Sequence, residues 1–124
     1  MIRGIEHIAI ASPDPHQLAD WYVRNLDFTV FSSSDRVVFI KATNGALLEI
    51  ITADNRLPAP AMKDSGLRHV AIAVDDFDAV YQRLKSAGIT FLGDPSLAGE
   101  NKLVFFNDPD GNYVHLIFRP TPFI

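Results

Sequence analysis

The sequence contains no cysteine. That absence excludes disulfides, thiolate ligands and a cysteine nucleophile, so any metal would rest on nitrogen and oxygen donors. There is no long apolar run, which removes a membrane-spanning helix from the expected architecture. Nor is there a surplus of basic residues: 11 Lys and Arg stand against 15 Asp and Glu, for a net charge of −4. Such a chain has no basic field to neutralise many phosphates, and nucleic acid is not an expected partner. The opening stretch "MIRGIEHIAIASPD" has too short an apolar segment and no small-residue cleavage motif, so no secretory signal is read and a cytoplasmic location is expected. The 48% hydrophobic and 21% charged shares are those of a soluble globular protein. At 124 residues the chain has room for one compact domain or two small half-modules.

What is present is a repeat. "GIEHIAIASPD" at 4–14 matches "GLRHVAIAVDD" at 66–76 without a gap, pairing His7 with His69 and Asp14 with Asp76. "VFIKATNGALLEII" at 38–51 lines up with "VFFNDPDGNYVHLI" at 104–117, pairing Gly45 with Gly111 and Glu49 with His115. The second offset is four residues longer than the first, as a loop insertion in the second half would make it. Each half, about 1–55 and 64–124, therefore runs strand, helix, then several strands.

Local signals agree with that order. "HIAIA" and "HVAIAV" alternate large and small apolar residues, as strands do. Ser12 or Asp14 can cap a helix that has Pro15 in its first turn and Leu18, Tyr22 and Leu26 at intervals of four. Phe77, Val80, Tyr81, Leu84 and Ala87 form the matching stripe, stopped by Gly88. Both helices are expected to cover Ile8, Ile10, Val70 and Ile72 of the preceding strands. Asn44–Gly45 predicts a two-residue type I′ hairpin turn, with "DPDGN" at 108–112 punctuating the equivalent hairpin. Segments 52–65 and 94–102 carry turn formers without periodicity and are expected to be a linker and rims.

The period of two places Leu47, Glu49 and Ile51 on one strand face and Tyr113, His115 and Ile117 on the equivalent face of the other half. A lone histidine in an apolar strand is most simply a hydrogen-bonded core residue. Here three of the four histidines, and the single glutamate of an apolar strand, fall at just two repeat positions. If the halves pack about an approximate two-fold axis, His7, Glu49, His69 and His115 form two pairs able to converge as a nitrogen and oxygen ligand set for one divalent cation. Nickel, cobalt, zinc, iron and manganese all suit such a set. His16 reads as a solvated surface residue, and Trp21, Phe28, Phe77 and Tyr81 as core.

With these residues in hand, "GIEHIAI", "WYVRNLDF", "ALLEII", "GLRHVAIAVDD" and "FFNDPDGNYVHLIF", in this order, resemble the vicinal oxygen chelate superfamily, the glyoxalase, bleomycin-resistance and extradiol dioxygenase group. The resemblance implies an α+β fold: tandem βαβββ modules forming an open, cup-shaped mixed sheet, with helices on the outer face. It also implies a divalent metal at its centre and a homodimer. Carried over residue by residue, the family's ligand positions fall on His7, Glu49, His69 and His115. One departure stands out. Glyoxalase I-like and dioxygenase members place a glutamate at the last position, where this chain has His115 and keeps its carboxylate at Glu49. The activity so implied is a metal-dependent lyase or isomerase acting on a small oxygenated substrate through an enolate, with Glu49, or else His115, moving the proton. Alternatives are a non-haem iron ring-cleaving dioxygenase and a binding protein of the bleomycin-resistance type.

Overall fold

The structure, a computed structural model, describes residues 1–123. It divides into two compact units, Met1–Pro58 and Ala59–Ile124. In the first unit β1 (His7–Ser12) leads into α1 (Pro15–Leu26), followed by β2 (Thr29–Ser33), β3 (Val37–Lys41) and β4 (Leu47–Thr52). In the second, β5 (His69–Ala73) and α2 (Phe77–Ser86) precede β6 (Ser96–Ala98), β7 (Asn101–Asn107) and β8 (Tyr113–Phe118). Each unit is thus a βαβββ module, and the α+β expectation holds. The sheets have the same topology, β1-β4-β3-β2 and β5-β8-β7-β6, with the first pair of each parallel and the others antiparallel. Among the described residues no helix is long and apolar enough to cross a membrane.

Capping fixes where the helices start. The Asp14 carboxylate accepts from the Gln17 amide at 3.1 Å and the Asp76 carboxylate from the Ala79 amide at 3.1 Å, each satisfying an amide that the first turn leaves without a backbone partner. Asp27, at φ 59, ends α1 in the left-handed conformation, which aspartate tolerates better than most residues. From α1, Leu18, Ala19, Tyr22 and Leu26 are buried against the sheet face formed by Val38 and Ile40 of β3 and Leu48 and Ile50 of β4. Fully burying an aliphatic side chain of this size stabilises by roughly 1.5–3 kcal/mol. Leu18→Ala would therefore cost about 2–5 kcal/mol, cavity included. Val104, Phe106, Val114 and Leu116 form the equivalent face of the second unit, where α2 contributes Phe77 and Leu84.

Three local expectations are corrected. The helix does not cover β1 as expected: α1 seats over β3 and β4, and Ile8 on the edge strand stays 41% exposed. The hairpin turn is not type I′. Gly45 donates to the Ala42 carbonyl (2.9 Å) and Ala42 to the Ala46 carbonyl (2.8 Å), enclosing a three-residue loop in which only Gly45 has positive φ (93°). This is the turn followed by a left-handed glycine that closes longer hairpins. The bonds Gly111 to Asp108 (3.0 Å) and Asp108 to Asn112 (2.9 Å) reproduce it in the second unit. Finally, 94–102 is not wholly a rim, because Ser96–Ala98 pairs with β7. The extra chain of the second half lies between α2 and β6: residues 87–95 do what Asp27 and Phe28 alone do between α1 and β2.

Candidate functional site

The sheet face turned away from each helix carries the polar residues. In the first unit His7 is in register with Leu47, and Glu49 with Ala9 on one side and Phe39 on the other. In the second, His69 is in register with Tyr113, and His115 with Ala71 and Phe105. The small residues Ala9 and Ala71 leave room beside each imidazole. The structure thus brings His7 to Glu49, and His69 to His115. Among the described residues no group of three or more His, Asp or Glu side chains is placed to hold a metal ion.

His7 Nε2 lies 3.4 Å from Glu49 Oε1, and His7 Nδ1 lies 3.0 Å from Glu6 Oε1. A neutral imidazole has one N–H, so one of its nitrogens must turn a lone pair toward a carboxylate oxygen. A divalent cation ligated by both Nε2 and Oε1 would satisfy this arrangement. The Glu49 side chain is 23% exposed and that of His7 32%, so both are reachable. The Phe39 ring stands edge-on to His7 at 5.3 Å between centroids and limits its rotation.

The second pair repeats that wall with a different partner. Phe105 stands edge-on to His69 at 5.6 Å, and the rings of His69 and His115 are 4.7 Å apart. His115 is buried, at 6% exposure, and its Nδ1 faces the Leu116 carbonyl at 3.2 Å. Nδ1–H donates to that carbonyl, which leaves Nε2 with its lone pair, the tautomer a metal ligand needs. Burial pushes the His115 imidazole below its ordinary value of 6.5, and the positive charges of His69 and Arg119 act in the same direction against the Leu116 carbonyl. The side chain is held neutral, as ligation requires. The donor chemistry of both pairs therefore fits a divalent cation.

Other residues find plainer roles. His16 is exposed, and its Nε2 donates to the Ser34 carbonyl at 2.8 Å, tying the first turn of α1 to the β2–β3 connection. Phe28 and Phe77 are core, whereas Trp21 and Tyr81 are only half-buried. Sequence reasoning missed Glu6, Phe39 and Phe105. The repeat held the signal for the two phenylalanines, since they align with each other and share the period-two face of their strands.

The glyoxalase/bleomycin resistance protein/dioxygenase superfamily model matches residues 4–116. A 2-epi-5-epi-valiolone epimerase from an Actinomyces species is 33% identical over 112 residues, covering 82% of this chain, although the chain spans only 60% of that relative's length. An ethylmalonyl-CoA/methylmalonyl-CoA epimerase from Cereibacter sphaeroides is 29% identical over 121 residues, with 88% of this chain and 90% of the relative covered. The crystal structure of a glyoxalase/bleomycin resistance protein/dioxygenase from Alicyclobacillus acidocaldarius superposes with a TM-score of 0.75 at 24% identity, over 95% of this chain and 92% of that one, a likeness of fold. With two copies of one βαβββ module and a family match spanning both, the chain belongs to the glyoxalase/bleomycin resistance protein/dioxygenase superfamily.

Proposed function

We propose that the protein is a metal-dependent isomerase of glyoxalase type, moving a proton at a carbon beside a carbonyl of a small oxygenated substrate. The observation that carries this reading is Glu49, a reachable carboxylate in an otherwise apolar strand, 3.4 Å from His7 Nε2. His7 and Glu49 in the first unit, and His69 and His115 in the second, are the residues that would ligate a divalent cation. When bound, such a cation supplies Lewis acidity, which lowers the cost of negative charge growing on a substrate oxygen by several kcal/mol.

Glu49 takes the proton at Oε1 and returns it. A carboxylate retains a lone pair for this while a ligating imidazole does not. His7, held by Glu6 and Phe39, orients that carboxylate, and His115, buried and neutral, keeps a fixed position beside His69. Two relatives named as epimerases favour isomerisation over the lyase chemistry of other members. The partners of this reading are a small-molecule substrate and a second copy of the chain, the latter checked by light scattering.

The test combines elemental analysis of protein purified without chelator with incubation of the metal-loaded protein in deuterium oxide. Small ketones and branched acyl thioesters serve as substrates, read by mass spectrometry. Deuterium entering at the carbon beside the carbonyl supports the reading. Oxygen consumption with catechols and no exchange would replace it by the dioxygenase alternative.

A further inference from the structure

The same sheet face of the first unit carries a cation that the proton chemistry does not use. Lys41, the last residue of β3, is in register with Leu47 of β4, which is itself in register with His7 of β1, and with Thr29 of β2 on its other side. Lys41 therefore shares the face of His7 and Glu49. It is half-buried, and its Nζ lies 4.7 Å from the centroid of the Phe31 ring. Among the described residues no carboxylate lies within ion-pair distance of it. A cation resting on an aromatic face keeps its full charge and three donors. Lys102, by comparison, rests on Phe77 but is also paired with Asp78 at 3.0 Å.

Two features separate Lys41 from an ordinary solubilising lysine. The repeat supplies the first. Asn107 occupies the equivalent register, opposite Tyr113 as Lys41 is opposite Leu47, and its side-chain amide donates to the Gly111 carbonyl at 3.2 Å within the hairpin. The hairpin of the first unit closes without help from Lys41, so the fold does not require a lysine there. The second is the β-bulge between Val30 and Ser32, which inserts Phe31 as the extra residue of β2. Bulges re-aim side chains, and here the Phe31 ring comes to lie beside Lys41. β3 is an inner strand, so Lys41 does not serve to blunt a sheet edge.

We propose that Lys41, cradled by Phe31, is a specificity-determining residue that binds an anionic group of the substrate, a carboxylate or a phosphate. Two strand spacings separate Lys41 from His7, and its Nζ leans toward β2, so the anion sits on the order of 10 Å from the carbon at which Glu49 acts. The substrate class is thus an elongated molecule with a carbonyl at one end and an anion at the other. This deepens the isomerase reading and rests on it for the location of the reacting carbon.

The test is a pair of titrations followed by NMR on wild type, Lys41→Met and Lys41→Arg, the methionine keeping most of the apolar stem. Inorganic phosphate, which needs no chemistry at Glu49, is expected to shift the Thr29, Phe31 and Lys41 signals. Lys41→Met should weaken phosphate roughly tenfold while Lys41→Arg retains it. In metal-loaded protein, straight-chain dicarboxylates of about eight to ten carbons, long enough to span ~10 Å, should bind better than monocarboxylates of equal length, and Lys41→Met should abolish that preference. Phosphate binding undiminished in Lys41→Met, or a dicarboxylate preference independent of Lys41, overturns the proposal. If Glu49→Gln instead leaves metal content and proton exchange unchanged, the isomerase reading fails and the phosphate titration still decides whether Lys41 binds anions.

Discussion

His69 and His115 stand on adjacent parallel strands with ring centroids 4.7 Å apart, the first exposed and the second buried at 6%. Protonating both would bring two like charges together, one of them out of water. The unfolded chain takes up its His115 proton near 6.5, whereas burial, helped by His69 and Arg119, keeps the folded side chain neutral to lower pH. Below 6.5 the unfolded state therefore binds more protons, so stability falls as pH drops through that value toward the folded one and is fully present above it. Urea unfolding of chelator-treated protein from pH 8 to 5 should show this slope, and His115→Gln should flatten it whatever its effect on absolute stability. An unchanged slope in the variant would assign the pH dependence to other groups.

Glu49→Gln keeps the shape of the side chain and removes its basicity. With Glu49 as the proton shuttle, turnover should fall by roughly 10²–10⁴-fold. Metal content should fall less, because the amide oxygen is a weaker ligand but still a donor and His7 remains beside it. Glu6→Gln, acting only through His7 Nδ1, should lower metal affinity by about tenfold or more without reproducing the loss of turnover at saturating metal. Equal effects of the two variants on turnover would remove Glu49 from the chemistry.

Much of this was legible in the sequence because the chain is written twice. A period of two shows which residues share a face, and the repeat pairs His7 with His69 and Glu49 with His115. What periodicity does not carry is lateral position. It cannot say that α1 lies over β3 and β4 and leaves Ile8 on the edge strand exposed, because that depends on strand order. Asn44–Gly45 suggested a tight turn on composition, but the hairpin took a longer loop with one left-handed residue. Pro109, just before Asp110 in the second copy, points the same way, since it has no N–H with which to close a two-residue loop around Asp110 and Gly111. Lys41 sat in plain view on the right face; that no carboxylate among the described residues pairs with it is a fact of tertiary structure.

The hairpin beneath His115 depends on a buried acid. Asp108 is 4% exposed and accepts from the amides of Asp110 and Asn112, at 3.0 Å each, and from the Asn112 side chain at 2.8 Å. Asp108→Ala would strand these donors and should cost about 2–4 kcal/mol. Asp108→Asn, which keeps an acceptor oxygen, should cost less. Because the hairpin sets the β7–β8 register, the alanine variant should also weaken the Leu116 and Phe105 surroundings of His115, seen as faster amide exchange along β8.

The two hairpin glycines offer an internally controlled comparison. Gly45 and Gly111 hold positive φ, 93° and 88°, in equivalent turns, so alanine at either strains the backbone by about 1 kcal/mol. They differ in surroundings: a Cβ on Gly45 meets nothing within 4 Å, whereas one on Gly111 comes 3.2 Å from the Ala59 Cβ. That separation is tighter than ordinary van der Waals contact, and Ala59 offers only its methyl group, with no flexible side chain to swing away. Gly111→Ala should therefore lower the thermal midpoint more than Gly45→Ala, and Ala59→Gly should remove the excess while leaving the shared backbone cost. Equal midpoints for the two alanine variants would mean that the segment at Ala59 yields freely and that backbone strain alone sets the cost at both turns.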